Sequence, residues 1–226
     1  MLAVTADTAA TDPGLPVALR LRAPGLEPLD VEQPHGPALA VTVHGRGLEG
    51  VAATERAGAW FGEVLGRDDL RLVHIHSPRP LSPTHARPGE ATAFADAYPV
   101  TLASRASLAR LREWVSKTAA ERGEEPRSPL PVERFRPNLV VDGDLEPFEE
   151  DHWPRVHVGA IVFRVAKPVD RCVLTTIDPS TLERGHEPIR TLAKHRKWDG
   201  ATWFAVQLVP ESVGEVRVGD EVTPDR

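Results

Sequence analysis

One cysteine, Cys172, stands in the 226 residues, within Asp170-Arg171-Cys172-Val173-Leu174-Thr175-Thr176. A thiolate is both a nucleophile and a soft metal ligand, and a neighbouring cation favours it over the thiol. Arg171 is that cation if its guanidinium reaches the sulfur. The simpler reading is a buried cysteine acting as a small hydrophobe, the commonest fate of a free thiol. A second group is Glu133-Arg134-Phe135-Arg136-Pro137-Asn138. Alternation along an extended segment would put Arg134, Arg136 and Asn138 on one face. Guanidinium groups beside an amide suit a phosphate or a polar heterocycle, although a solvated basic strand end is the simpler reading of the residues alone. A third group, Phe148-Glu149-Glu150-Asp151-His152-Trp153, offers carboxylates and an imidazole for acid–base work, or a solvated loop anchored by its aromatic residues. His74 and His76 share one face of a strand as zinc ligands can, but no third ligand stands at convincing spacing. There is no Gly-rich phosphate loop and no Gly-x-Ser-x-Gly elbow.

These residues need elements to hold them. Ala57, Trp60, Phe61, Val64 and Leu65 form an apolar stripe and predict a helix over about 54–65, stopped by Gly66. A second helix is expected from the N-cap Ser104 to Arg122, with Leu108, Leu111 and Val115 on its buried face and Gly123 after it. A short third helix starts at Pro188. Strands are expected at 39–43, 70–76, 139–141, 156–163, 171–177, 202–209 and 215–218, from their Val, Ile, Leu and Thr content. Asp142-Gly143, Asp199-Gly200 and Gly219-Asp220 supply turns. Residues 1–16, the proline-rich 77–83 and the linker 123–131 read as loops. Strands dominate after Phe135, so the fold class is α+β, with a β-barrel core in the second half and peripheral helices.

Composition narrows the function. A net charge of −6 and a pI near 5.9, with no basic stripe, argue against nucleic acid and anionic membranes as partners. No apolar run is long enough to span a bilayer, and the first residues lack the pattern of a secretory signal. A lone cysteine forms no intrachain disulfide, which suits a reducing cytoplasm. The 22 prolines, about twice the ordinary share, point to short elements and many turns.

The ordered set of motifs resembles the MOSC domain, found at the C-terminus of molybdenum cofactor sulfurases and in amidoxime-reducing molybdoenzymes. The set runs from Phe94-Ala95-Asp96-Ala97-Tyr98-Pro99 with Ser107-Leu108 to Phe135-Arg136-Pro137-Asn138 with Asp142-Gly143. It continues through Phe148–Trp153, Arg171-Cys172-Val173-Leu174-Thr175-Thr176-Ile177-Asp178-Pro179 and Glu187–Ala193, and ends at Gly214–Val222. The resemblance covers about 90–222, with a weaker match to the family's N-terminal barrel over 15–76. It implies two regions, a partial N-terminal barrel in 1–76 and the MOSC domain in 77–226. The family's opening Tyr-Pro-(Val/Ile)-Lys-Ser strand and Asp-Arg pair have no counterpart, so the first strands of that barrel are expected to be missing.

The resemblance also implies a molybdopterin-bound molybdenum cofactor. Cys172 would ligate the metal. Arg136, Asn138, Arg171 and Thr175 would hold the cofactor, and Asp96 would relay a proton. The Glu150-Asp151-Trp153 motif reads as mainly structural. The implied reaction is two-electron removal of oxygen from a small N-hydroxylated compound. No flavin, haem or iron–sulfur motif is present, and one cysteine cannot hold a cluster. The electron donor is therefore expected to be a separate protein, a ferredoxin or a flavin or haem reductase. The alternative is a cofactor or sulfur carrier in which Cys172 bears a persulfide. Pyridoxal phosphate enters only as an association of the wider family.

Overall fold

A computed structural model describes residues 3–43, 45–124 and 130–226, so positions 125–129 of the expected linker lie outside the described residues. The chain divides into two compact units, one of residues 1–79 with 91–96, the other of 80–90 with 97–226. Two short strands, β7 (Arg79–Pro80) and β8 (Ala91–Thr92), lie in the stretch of sequence where the chain passes from one unit to the other.

The first unit contains two antiparallel three-stranded sheets. One runs in the order β1 (Thr5–Asp7), β2 (Leu19–Arg22), β3 (Leu29–Val31); the other in the order β4 (Leu39–Val43), β5 (Arg46–Ala52), β6 (Val73–Ile75). Helix α1 (Glu55–Leu65) ends at Gly66 in the left-handed region, φ 64°, as its stripe and stop signal predict. Ala57, Trp60 and Phe61 pack on Leu21, Leu29 and Val31, and Trp60 donates its indole N–H to the Glu27 carbonyl at 2.9 Å. Part of the segment read as an N-terminal loop is thus strand β1.

The second unit is built on a nearly closed, barrel-shaped sheet. Its strands are β9 (Val100–Ser104), β10 (Leu139–Val141), β11 (Arg155–Val158), β12 (Ile161–Asp170), β13 (Lys197–Trp198), β14 (Ala201–Pro210) and β15 (Val222–Pro224). The order is β10-β9-β14-β12-β11-β15, with β13 paired to β14. Strands β9 and β10 run parallel, and the other pairs of this sheet among the described residues are antiparallel. Helix α2 (Arg105–Glu121) lies between them in sequence, and the Ser104 hydroxyl caps it by accepting from the Ser107 N–H. Helix α3 (Ile189–His195) follows the cis Glu187–Pro188 bond.

Two cores flank the central strands. Leu102, Val206 and Leu208 join Val156, Val158 and Phe163 in one cluster; Ala103, Phe204 and Ala205 join Leu108, Leu111, Phe135 and Leu192 in the other. Phe204 and Ala205 are adjacent yet serve the same cluster, because Ala205 sits at φ 69° and interrupts the alternation of the strand. Trp198 pairs with Ala201, so Asp199-Gly200 is a two-residue hairpin loop with φ 51° and 78°, the backbone that Asp-Gly favours.

Two expected strands take other forms. Residues 215–218 form none: Asp220 accepts the Arg217 N–H at 2.7 Å and closes a turn, and the strand at this end is β15. The segment 171–177 folds into a 3-10 turn, Val173–Thr176, for reasons that shape the site.

Candidate functional site

Strand β12 ends at Asp170, and the next residue is fixed by main-chain bonds. Arg171 donates its N–H to the Thr202 carbonyl at 2.8 Å, and Thr202 returns its hydroxyl to the Arg171 carbonyl at 3.2 Å. The chain then turns. Thr175 directs both its N–H (3.2 Å) and its hydroxyl (2.9 Å) to the Cys172 carbonyl, and the Thr176 hydroxyl donates to the Val173 carbonyl at 2.7 Å. Threonine favours strands by its branching, but here both hydroxyls find local acceptors three residues back and tip the balance toward a turn. Cys172 therefore precedes a 3-10 turn with its side chain exposed. The hydrophobic-core reading of this thiol is excluded.

Arg171 reaches back to an earlier motif. Its Nη2 donates to the Phe135 carbonyl at 2.6 Å, and its guanidinium carbon lies 5.4 Å from the Phe135 ring centre. Its Nε is buried without a partner. Burial pushes its pKa down to about 10; Cys172 and Asp170 act in the opposite sense, and Arg136 adds to the depression. The two motifs, 36 residues apart, thus meet where the Arg171 side chain binds the Phe135 carbonyl, the residue just before Arg136.

Residues 132–136 do not form the extended segment that alternation implied. Val132–Phe135 is a 3-10 helix, and Arg136 closes it at φ 50° with its side chain exposed. Arg134 and Arg136 consequently diverge. Asn138 binds β9: its N–H donates to the Thr101 carbonyl at 2.8 Å, and its Oδ1 accepts the Thr101 N–H at 2.9 Å. Its exposed side chain keeps only the amide nitrogen for a ligand. Thr175 is buried and its hydroxyl engaged, so it shapes the turn. Asp96 belongs to the first unit; it is exposed, and its main-chain carbonyl accepts from Arg79 Nη2 at 2.9 Å.

The acidic run around Glu150 is not a solvated loop. Glu150 is fully buried, accepting from the Ser104 and Ser107 hydroxyls at 3.1 and 2.9 Å, and burial raises its pKa despite those bonds. Asp151 pairs with Arg196 in a buried contact. His74 and His76 are both exposed, and no group of three His, Cys, Asp or Glu suited to a metal occurs among the described residues. An open cavity of about 1040 Å³ in the first unit is lined by residues of α1 and of the segments on either side of it, such as Thr54, Gly58, Gly62 and Arg67. It includes none of the candidate residues.

Residues 89–223 match the family model for the MOSC domain. The chain belongs to the MOSC domain family. It is 30% identical over 194 residues to human mitochondrial amidoxime-reducing component 1, covering 80% of this chain and 54% of that protein. It is 31% identical over 224 residues to rat mitochondrial amidoxime reducing component 2, covering 90% and 62%. It is 32% identical over 161 residues to the molybdenum cofactor sulfurase of Anopheles gambiae, covering 71% and 20%. The chain thus spans little more than half the length of the amidoxime-reducing relatives. No helix among the described residues is long and apolar enough to cross a membrane. The amidoxime-reducing relatives carry "mitochondrial" in their names, whereas composition alone led to a cytoplasmic expectation.

In this MOSC protein the donor set fits the family's molybdenum cofactor. It offers an exposed thiol, a half-buried arginine whose Nε is enclosed without a partner, and Arg136, an exposed cation whose charge acts on Arg171. Sequence reasoning missed Thr202, which anchors the end of β12, and Asp178, which anchors the segment after the turn. Asp178-Pro179-Ser180-Thr181 carried a signal for the latter, since Asp before Ser and Thr marks a side-chain-closed turn.

Proposed function

We propose that this MOSC protein binds the molybdenum cofactor through Cys172 and reduces small N-hydroxylated compounds with electrons from a separate donor protein. The supporting observation is the exposed Cys172 thiol beside Arg171, whose charge is buried with one N–H unpartnered. Arg171 and Arg136 supply positive charge for the cofactor's phosphate, and Asn138 supplies its free amide N–H groups. Cys172 supplies a thiolate to the metal, and Thr175 holds the turn that presents it. When bound, the cofactor would supply a metal centre able to exchange two electrons. In the overall reaction the N–O bond breaks, two electrons and two protons enter, and oxygen leaves as water. The electrons come from a ferredoxin or a flavin or haem reductase, because one cysteine cannot hold an iron–sulfur cluster.

The decisive measurement is elemental analysis of protein made in a host that supplies the cofactor, with amidoxime reduction assayed using a chemical reductant. We expect about one molybdenum per chain, and loss of both metal and activity in Cys172→Ala. Full metal content and activity in that variant would falsify the assignment. Exposure of Cys172 also favours a second reading, a carrier that bears a persulfide sulfur taken from a donor protein. Mass spectrometry showing one reductant-labile extra sulfur on Cys172, in protein without reductase activity, selects that reading instead.

A further inference from the structure

By alternation Arg134 belongs with Arg136 and Asn138, on a face whose simpler reading is a solvated strand end. In the structure its side chain is only 13% exposed and touches three segments. Its Nη1 donates to the Thr176 carbonyl at 3.3 Å and to the Glu187 carbonyl at 3.5 Å; its Nη2 donates to Asp178 Oδ2 at 2.7 Å. Asp178 divides its carboxylate. The other oxygen accepts the Ser180 N–H (2.9 Å), the Ser180 hydroxyl (2.5 Å) and the Thr181 N–H (3.2 Å). This holds the Asp178 carboxyl far below its ordinary range, so the carboxylate stays ionised. The Asp178 N–H and the Leu182 N–H then close the loop onto the Glu183 and Asp178 carbonyls at 2.9 and 2.8 Å, and Gly185 N–H returns to the Thr176 carbonyl at 2.9 Å.

We infer that Arg134 and Asp178 are positioning residues that aim Cys172, by fixing the far end of the turn that begins at its carbonyl. The near end is fixed at Arg171 by Thr202, and the clamp at Thr176 and Asp178 leaves the turn no freedom to swing. Arginine is required because its planar fork serves a carboxylate and two carbonyls at once, whereas lysine offers a single nitrogen. The inference rests on the reading of Cys172 as the metal ligand.

The test compares Arg134→Lys with Arg164→Lys. Arg164 pairs with Glu90 at 2.6 Å and is 12% exposed, so it controls for the loss of an ion pair of similar burial in the same unit. Asp178→Asn is the second variant, which keeps the turn-closing oxygen while removing the charge. In apo protein, amide hydrogen exchange at Thr175, Ile177 and Gly185 should quicken about tenfold in Arg134→Lys and Asp178→Asn, and stay unchanged in Arg164→Lys. In protein made with cofactor, the first two variants should lose most of their molybdenum, and whatever they retain should show a shifted thiolate-to-metal charge-transfer band. Arg164→Lys should keep both. Equal behaviour of Arg134→Lys and Arg164→Lys overturns the inference, as does faster exchange with an unaltered metal content and band. If Cys172→Ala keeps its molybdenum, the reading of the site has failed instead, which the exchange data do not address.

Discussion

Arg171 and Arg196 belong to the same unit, and each lies over a phenylalanine, yet their surroundings differ in kind. Arg196 is answered from within the fold. It pairs with Asp151, directs its Nε to the Trp203 carbonyl at 3.4 Å, and lies 4.2 and 4.7 Å from the ring centres of Phe148 and Trp198. Among the described residues Arg171 has a single side-chain bond and no carboxylate bridge, its Nε is unpartnered, and the charge of Arg136 acts against its own. A buried charge without its partners is costly, and an anionic ligand relieves that cost. One arginine therefore closes the structure, and the other leaves an opening for something negative.

The largest effect expected from this contrast is on the closed side. Arg196→Ala leaves Asp151, whose side chain is 8% exposed and whose Oδ1 already lacks a partner, without its cation. The cost should be about 3–5 kcal/mol, the usual result of stranding one member of a buried pair, read as a lower denaturant midpoint at constant slope. Arg196→Lys should recover part of it by restoring charge without the stacked plane. A loss below about 1 kcal/mol would mean that Arg196 is as loosely held as a surface ion pair, and the contrast would break.

A smaller effect sharpens the same side. Burial raises the folded-state pKa of Glu150 above 4.5, its ordinary value. Between 4.5 and that raised value the folded protein keeps a proton that the unfolded chain has released. Stability therefore falls as pH rises through this window and stays lower above it. Glu150→Gln removes that slope, so from pH 4.5 to 7 its stability should improve steadily relative to the parent. Asp151 is shifted in the same direction and retains Arg196, so some slope remains in the variant. Parallel pH profiles for the two proteins would show that Glu150 ionises freely.

How far this contrast was legible in the sequence depends on the range of the interactions involved. Helix α2 and its Ser104 cap could be read directly, since capping and the 3.6-residue stripe are local. The Asp199-Gly200 turn was legible for the same reason, though not the short strand β13 that makes it a hairpin. The 3-10 turn after Cys172 was not, because branching alone favours a strand and the competing Thr175 and Thr176 hydroxyl bonds leave no mark in composition. Strand β9 escaped because its Val-Thr-Leu-Ala-Ser run is buried on both faces and shows no polar alternation. At the site, Cys172 and the Arg136–Asn138 segment emerged from motif order. That Asn138 would spend its oxygen on Thr101, and that Arg134 would turn toward Asp178, depended on the left-handed Arg136. Nothing in the run Phe-Arg-Pro-Asn announces that conformation, since arginine seldom adopts it.

The smallest change in stability should come from the open side, and there the ligand response matters more. Arg171→Met loses the bond to the Phe135 carbonyl but removes a buried charge with an unpartnered N–H, so the net change should stay within about 1 kcal/mol. Inorganic phosphate should raise the thermal midpoint of the parent apo protein, because an anion that binds only the folded state stabilises it in proportion to the logarithm of its concentration over Kd. Chloride at matched ionic strength should do so far less, which separates binding from screening. In Arg171→Met the phosphate response should disappear, while in Arg196→Lys it should persist on a lower baseline. Equal phosphate shifts in all three proteins would place the anion elsewhere. The unpartnered Nε of Arg171 would then be a cost the fold carries for some reason other than a negatively charged ligand.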